Sequence, residues 1–220
     1  LYLGETNLGH DHYDGAINDL RIYNRTLTTT EIDSLSNLGC PLPHLQQGLK
    51  AHFKFDGNLL DETINNEDLT ANTSVQYSTI NGVDQAVSFN TSLQLRSQGS
   101  FSNQNYTEQS VSLWINAKSR TNASPQTVIQ GAFLGFGIYL QPNGEVGAFF
   151  DSSSSNSLIS DSSVIDSTWH HIVAQNDGGT TYLYIDGEFK KSQADPFVTG
   201  NGNVSNRLYF GLTNLNFNPY

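Results

Sequence analysis

Residues 167–187, STWHHIVAQNDGGTTYLYIDG, decide the fold of this chain. The cluster Asn-Asp-Gly-Gly at 176–179 can supply the positive φ angles that a tight chain reversal needs. Beyond it, Tyr182 and Tyr184 alternate with aliphatic residues, and this period of two places side chains on opposite faces of a strand. An Asp-Gly pair then begins a second turn. The stretch therefore predicts a β-meander of short antiparallel strands.

The composition fits one all-β domain with an apolar core. The 220 residues include 12 Phe, 10 Tyr and 2 Trp, and 36% of the residues are hydrophobic. The net charge is −11 with only 10 Lys and Arg, which argues against nucleic acid and anionic membrane surfaces as partners. No apolar run approaches the roughly 18 residues of a membrane helix, so direct membrane insertion is not expected.

The one cysteine, Cys40, lies in a Gly-Cys-Pro-Leu-Pro segment typical of a linker. A single cysteine cannot form an intrachain disulfide, so the thiol either pairs with a cysteine of another chain or stays unpaired. The chain begins at Leu1 rather than Met, which indicates a processed or excised piece of a longer protein.

Three motifs carry a resemblance to a known family. They are Trp-His-His-Ile-Val at 169–173, Leu-Tyr-Ile-Asp-Gly at 183–187, and Asp-Gly-Ala-Ile-Asn-Asp-Leu-Arg-Ile-Tyr-Asn-Arg at 14–25. These motifs resemble the laminin-G-like jelly rolls of the concanavalin A-like superfamily, which recur in extracellular and bacterial surface proteins. The resemblance covers essentially the whole chain and implies an all-β fold, a two-sheet antiparallel β-sandwich.

One short helix is expected near residues 29–36. Thr28 and Glu31 have the spacing of a capping box, in which each side chain accepts a hydrogen bond from the other residue's backbone. Ile32 and Leu35 fall on one side of such a helix and would pack it against the sandwich.

Residues 48–55 resemble the first strand of the family. Every second residue is apolar, so we expect His52 and its polar neighbours on the solvent side. Further strands are expected at 86–89, 110–117, 127–130, 135–141 and 145–150. Residues 152–163 are rich in serine and weakly patterned, which favours an exposed loop.

The two ends of the chain repeat one pattern. LYLGETNLGHDHY at 1–13 and LYFGLTNLNFNPY at 208–220 match at seven of 13 positions. The first copy leads into a segment that resembles the last strand of the family, and the second stops where that strand should follow. We therefore assign residues 1–39 to the end of one laminin-G-like repeat, 40–48 to a linker, and 49–220 to a repeat that lacks its own last strand.

A sandwich without its last strand would expose a sheet edge with unpaired backbone N–H and C=O groups. Residues 14–36 are therefore predicted to complete the sandwich formed by 49–215, as in a circular permutant of the usual domain. The same pairing between chains would give strand-swapped self-association. The two terminal copies of the repeated pattern would then compete for one strand position.

The resemblance also implies a structural calcium site. The F-D-G-N-x-x-D loop of the family corresponds here to Asp56, Asn58 and Asp61, whose hard oxygens suit Ca²⁺. The acid before the family's R-I-Y-N strand lies beside that loop, which adds Asp19. The family usually has two acids where this chain has Asn18 and Asp19, so one charge is lost. The alternative is that the loop forms only a turn, since Asx side chains hydrogen-bond their own backbone.

An enzymatic role is not expected. Glu31 and Asp33 match the start of the E-x-D-x-x-E signature of one glycoside-hydrolase group, but Ser36 stands where the second glutamate should be. One of His170 and His171 is expected to be packed and hydrogen-bonded, and neither has an evident nucleophile to activate.

The family resemblance and the internal repeat together predict the function. We expect a non-catalytic binding or adhesion repeat of a large secreted or cell-surface protein, calcium-stabilised, with glycans, cell-surface proteins and neighbouring repeats as partners. The alternative is a carbohydrate-binding module attached to a secreted polysaccharide-degrading enzyme. Fold alone does not select a ligand.

Overall fold

The computed structural model of the protein describes residues 12–37, 43–80, 84–90, 93–97, 107–118, 124–131, 136–150, 157–194 and 208–209. These residues form a two-sheet antiparallel β-sandwich with one α-helix, which confirms the predicted fold class. The strands are β1 (Gly15–Tyr23), β2 (Leu49–Phe53), β3 (Leu69–Ala71), β4 (Gln76–Ile80), β5 (Asp84–Phe89), β6 (Leu95–Ser97), β7 (Gln109–Ala117), β8 (Gln126–Gly131), β9 (Phe136–Leu140), β10 (Glu145–Phe149), β11 (Leu158–Ser163), β12 (His170–Asn176), β13 (Thr180–Ile185), β14 (Glu188–Ala194) and β15 (Leu208–Tyr209).

The eight-stranded sheet has the order β14-β13-β12-β7-β1-β5-β4, with β2 also paired to β1. Its β12-β13-β14 part is the predicted meander, and Asp186 (φ 55) and Gly187 (φ 81) form the left-handed turn between the last two strands. The seven-stranded sheet has the order β11-β10-β9-β8-β15-β6-β3.

The main core lies between the two sheets. Alternate residues of the strands point into it, because side chains of a strand project to opposite faces. The largest fully buried side chains include Tyr13, Phe53, Phe55, Phe89 and Phe136.

A second, smaller core lies on the outer face of the eight-stranded sheet. There the helix α1 (Thr29–Ser36) and a 3₁₀ helix (Pro43–Gln46) cover part of the sheet. The buried residues of this core are Tyr23, Leu27, Ile32, Leu35, Leu45, Val173 and Tyr184. The helix has the predicted bounds and capping box, because Glu31 N donates to Thr28 Oγ1 and Thr28 N donates to Glu31 Oε2.

Strand β1 occupies the centre of the eight-stranded sheet. It pairs antiparallel with β7 on one edge and with β2 and β5 on the other, all within the same chain. The position of β15, between β8 and β6, is taken by Leu208–Tyr209, while the matching residues 1–6 lie outside the described residues. The assignment of the chain to parts of two repeats stays a prediction.

The structure corrects several local predictions. Residues 158–163 form β11, where an exposed loop was expected, because Leu158 enters the core and the strand pairs with β10. The predicted linker contains the 3₁₀ helix, whose Leu45 is buried in the second core. The first predicted strand ends at Phe53, and Phe55 adopts a left-handed φ of 63°. The short strands β3, β4 and β6 were not predicted.

Candidate functional site

Asp19, the first predicted calcium ligand, lies on a bulge of β1 and has φ 46. Its Oδ1 accepts hydrogen bonds from His52 Nε2 at 2.7 Å and from Arg21 Nε at 3.1 Å. Burial alone would raise the pKa of Asp19, but the hydrogen bonds and charges of His52 and Arg21 outweigh it and hold the pKa below its ordinary value. His52 lies on the face opposite the core, as the alternation predicts, but the contact with Asp19 accompanies its burial there.

Asp61 is buried and caps the loop between β2 and β3. Its Oδ1 accepts hydrogen bonds from the backbone amides of His52 and Thr63, at 2.9 and 3.0 Å. Its Oδ2 accepts from Thr63 Oγ1 at 2.8 Å and from the backbone amide of Glu67 at 3.0 Å. Both carboxylate oxygens are thus used by protein donors, which is the arrangement of a structural cap.

Asp56 and Asn58 lie on the exposed part of the same loop. Asn58 Oδ1 accepts a hydrogen bond from the Leu60 amide at 2.9 Å, which is the Asx turn considered as the alternative to a metal site. Asp56 Oδ1 reaches the Gln85 amide at 3.5 Å.

Protein donors already contact three of the four predicted calcium ligands, Asp19, Asn58 and Asp61. Ca²⁺ requires six to eight oxygens, whereas the carboxylates of Asp19 and Asp61 are engaged by protein donors. Across the described ranges, no group of three or more His, Cys, Asp or Glu side chains is placed to hold a metal ion. Calcium binding stays a prediction from the resemblance.

Glu31 has a structural role at the start of α1. Arg25 donates to it twice, from Nη1 to Oε2 at 2.9 Å and from Nη2 to Oε1 at 2.6 Å. These hydrogen bonds lower the pKa of Glu31 to about 2. Asp33 is exposed on the helix and does not share this network. Of the two acids that match the start of the hydrolase signature, Glu31 is thus a helix-capping residue in an ion pair with Arg25, and Asp33 is exposed to solvent.

His171 is the packed histidine that the sequence predicted. It is buried, its Nε2 lies 2.9 Å from Ser112 Oγ, and its ring lies 5.2 Å from that of Trp114. His170 is more exposed, and its ring nitrogens contact Asp186 and Asp166 at 2.8 and 3.1 Å.

The outer face of the seven-stranded sheet carries an open depression of about 400 Å³. We call it the β3–β6 depression; it is lined by Thr70, Ala71, Asn72, Gln94 and Arg96. Thr70 and Arg96 are paired across β3 and β6 and point away from the core, because Leu69 and Leu95 on either side are buried.

Three hydrogen bonds between residues 70–72 and 94–96 hold the β3–β6 depression in shape. The Gln94 amide donates to Asn72 Oδ1 at 2.7 Å, and the Asn72 amide donates to the Gln94 carbonyl at 3.1 Å. Thr70 Oγ1 donates to the Arg96 carbonyl at 3.2 Å. The lining therefore presents hydroxyl, amide and guanidinium groups from a hydrogen-bonded strand pair, a site suited to a ligand rich in hydroxyls.

The same face continues across β15 to β8 and β9. Gln130 is two strands from Arg96, roughly 10 Å away at the usual strand spacing. Its Oε1 is buried with no hydrogen-bond partner in the described part of the chain. Farther along, Tyr139 and Phe149 lie with ring centroids 6.4 Å apart over Gly147 and Gly137 of neighbouring strands. On this face Tyr139 is half-buried, whereas Gln130 and Phe149 are buried.

Sequence reasoning missed the β3–β6 depression although one signal was present. Leu93 and Leu95 alternate with Gln94 and Arg96, a period-two pattern that predicts a half-buried strand with those two polar side chains outward. The pairing of this segment with residues 69–71 could not be predicted, because no local pattern encodes contacts between distant strands.

Residues 81–220 match the concanavalin A-like lectin/glucanases superfamily. The chain is similar to domain 4 of an extracellular GH43 arabinanase from Geobacillus stearothermophilus, solved with arabinotriose, at 23% identity and a TM-score of 0.54. That likeness covers 74% of this chain and 82% of the arabinanase domain. A search of curated protein sequences gives no match.

Two toxin structures share the fold. The binding domain of Paraclostridial Mosquitocidal Protein 1 has 16% identity and a TM-score of 0.57, over 69% of this chain and 41% of that one. Botulinum neurotoxin type C, whose cell entry depends on interaction with two ganglioside molecules, has 18% identity and a TM-score of 0.56, over 88% and 42%. The chain thus spans less than half of these toxin chains, and at such identities the likeness establishes the fold alone.

Proposed function

Because the chain belongs to the concanavalin A-like lectin/glucanases superfamily, we propose that it is a non-catalytic glycan-binding domain of an extracellular protein. The observation that carries this proposal is the β3–β6 depression. Its volume of about 400 Å³ is within the range of small-ligand sites, and its lining offers amide, hydroxyl and guanidinium groups. Sugar hydroxyls both donate and accept hydrogen bonds, so they complement all three kinds of group.

Two of the similar structures involve carbohydrates and support the same class of ligand. The arabinanase domain was solved with arabinotriose, and the type C toxin interacts with gangliosides. A chain of sugars bound along the outer face could extend from the depression across β15 toward β8 and β9. Tyr139, which is half-buried on β9, would offer aromatic surface there.

The absence of catalysis is part of the proposal. Glycoside hydrolysis uses two carboxyl groups on either side of the bond that is cleaved. Among the described residues that line the β3–β6 depression there is no Asp or Glu, and Glu31 forms an ion pair with Arg25. The domain would therefore hold a glycan without cleaving it.

An extracellular location agrees with the sources of the arabinanase domain and the toxin domains. Among the described residues, no helix has both the length and the apolar character needed to cross a membrane. The sequence repeat at the two ends favours a repeat of a large adhesin. The likeness to an arabinanase domain favours the alternative, a module of a polysaccharide-degrading enzyme. Flanking sequence would separate them, since the first needs further repeats and the second a hydrolase domain.

A glycan array with the intact chain tests the proposal. We expect concentration-dependent binding to a subset of plant, algal or animal glycans. Incubation of the bound glycans with the protein should release no reducing ends above background. Loss of array binding in the Gln94→Ala, Arg96→Ala double variant would place the site in the depression. The proposed function would be contradicted if the protein bound no glycan on the array, or if it still released reducing ends from the glycans after repurification.

A further inference from the structure

One edge of the central strand β1 is shared by two partners. Strand β5 pairs with Gly15, Ala16 and Ile17, and β2 pairs from Leu20 onward. Asn18 and Asp19 lie at the junction, where the ladder changes from one partner to the other. At the junction neither strand supplies backbone partners to β1, so side chains must hold the two strand ends together.

The backbone at this junction is irregular on both sides. The pairing of β1 with β7 shifts register between Asn18 and Arg21, so β1 carries an extra residue there. Asp19 has φ 46, and Phe55, just beyond β2, has φ 63. Such left-handed values are uncommon for residues other than glycine, which indicates that contacts at the junction hold this geometry.

The side chain of Asn18 makes those contacts. It is 9% exposed, and its Nδ2 donates to the carbonyl oxygen of Lys54, at the end of β2, at 3.0 Å. The same Nδ2 donates to the carbonyl oxygen of Gln85 in β5. Asp56 lies at the same place, because its carboxylate reaches the Gln85 amide. Two carbonyl oxygens thus converge on one point from two strands.

Only a donor or a cation can occupy a point between two carbonyl oxygens. The amide NH₂ of asparagine supplies two N–H donors, whereas an ionised carboxylate supplies none. A carboxylate here would face two acceptors and would need a bound cation to offset the repulsion. The residue type at position 18 therefore decides whether the junction needs a metal.

We propose that the Asn18 amide takes the place of a bound cation at the junction of β2 and β5, so that the folded chain does not depend on calcium. The resemblance implies calcium beside the Asp56 loop, but it also implies an acid where this chain has Asn18. With Asn18, the two carbonyl oxygens are satisfied by protein donors. Because Asn18 stands in place of an acid, hydrogen bonds from its amide join β2 to β5 where an acid would require a metal ion.

Thermal unfolding of the intact chain in EDTA and in millimolar CaCl₂ tests this inference. The wild-type melting temperature should be the same in both buffers. Asn18→Asp should melt at least about 5 °C lower in EDTA and should recover most of that loss in calcium. Asn58→Asp is the matched control, since it makes the same chemical change on the exposed loop; we expect little change in either buffer.

Asn18→Ala removes the amide hydrogen bonds without adding a negative charge, so it tests the role of the amide by itself. It leaves both carbonyl oxygens without the amide donor, so its melting temperature should fall equally in EDTA and in calcium. A wild-type melting temperature that rises with calcium would overturn the proposal even if a variant fails to fold. The proposal would be equally wrong if Asn18→Asp in EDTA, or Asn18→Ala in either buffer, melted like the wild type.

Discussion

His170 and His171 are neighbours in β12, and their pKa values are shifted in opposite directions. Burial lowers the pKa of His171 to about 4, so this ring stays neutral against Ser112 and Trp114. Burial alone would also lower the pKa of His170, but its hydrogen bonds to Asp186 and Asp166 outweigh burial and raise the pKa. The two rings differ because successive side chains of a strand face opposite sides of the sheet.

The raised pKa of His170 gives stability a pH dependence of known sign. The folded pKa lies above the unfolded value of about 6.5. The stabilisation by the charged His170 ring is therefore fully present below about pH 6.5 and is lost as the pH rises through the folded pKa. His170→Gln should therefore lower the melting temperature more at about pH 5.5 than at about pH 8.5. The ion pairs are partly exposed, so the difference should be no more than about 1 kcal/mol, or about 2–4 °C.

His44→Gln is the control for this measurement, because it makes the same substitution at an exposed position. A His170→Gln effect that is equal at both pH values, or larger at high pH, would show that the carboxylates of Asp166 and Asp186 do not favour the charged ring.

At the scale of elements, α1 is fixed mainly by residues close to it in sequence. Arg25 and Glu31 join the end of β1 to the start of the helix, and Arg25 also donates to the carbonyl oxygens of Gln47 and His44. Such local spacing can be read from sequence, which is why the helix and its capping box were predicted with the correct bounds.

Glu31→Ala removes the ion pair with Arg25 and the half of the capping box in which Thr28 N donates to the Glu31 carboxylate, whereas the hydrogen bond from the backbone amide of residue 31 to Thr28 Oγ1 remains. We expect a loss of about 1–2 kcal/mol in the free energy of unfolding, or about 2–8 °C in melting temperature. Since the folded pKa of Glu31 is about 2 and the unfolded value about 4.5, the ion-pair part of the loss should shrink as the pH falls through that interval. Urea unfolding near neutral pH and near pH 3 would measure both.

Asp33→Ala is the matched control, since it removes the same charge from an exposed position of the same helix and should change stability by less than about 0.5 kcal/mol. Equal losses for the two variants would mean that Glu31 acts only through overall charge.

Strand β1 is the element on which the sandwich most depends, because it pairs on both edges. Deleting residues 1–36 removes β1 and α1 and leaves the edges of β7, β2 and β5 unpaired. We expect an aggregated product or one without a cooperative melt, by size-exclusion chromatography and circular dichroism. Deleting only residues 1–11 keeps both elements and serves as the control. A monomeric 37–220 fragment that melts cooperatively near the parent temperature would show that the segment is not needed.

Sequence patterns predicted the elements that are determined by nearby residues and missed those that depend on pairing with distant strands. The meander could be predicted from the turn at 176–179 and the alternation of Tyr182 and Tyr184. The strand β11 could not, because its serine-rich sequence is extended only through pairing with β10. His52 was expected on the solvent side, and its burial there is accompanied by a contact with Asp19, which lies on a bulge in another strand.

At the scale of the whole molecule, the sandwich provides two different outer faces. Helix α1 and the 3₁₀ helix cover part of the eight-stranded sheet, whereas the seven-stranded sheet carries the β3–β6 depression. The net charge of −11 works against polyanionic partners at long range. These features together favour a ligand that is held by short-range hydrogen bonds, such as a neutral glycan.

The predicted site and the site proposed from the structure lie in different places. The sequence pointed to Asp19, Asp56, Asn58 and Asp61 because carboxylates and amides in an acidic loop are a recognisable pattern. The depression is built by side chains from two strands that are distant in sequence, and its residue types are common on any surface. Only their arrangement in three dimensions distinguishes them.

Isothermal titration calorimetry would show whether the β3–β6 depression binds a glycan. The strongest ligand from the array would be titrated into the wild type, the Gln94→Ala, Arg96→Ala double variant, and Lys190→Ala as a control on the other sheet. We expect the double variant to lose at least tenfold in affinity, about 1.4 kcal/mol, with an unchanged melting temperature and an unaffected control. Wild-type affinity in a folded double variant would show that the β3–β6 depression is not the glycan site.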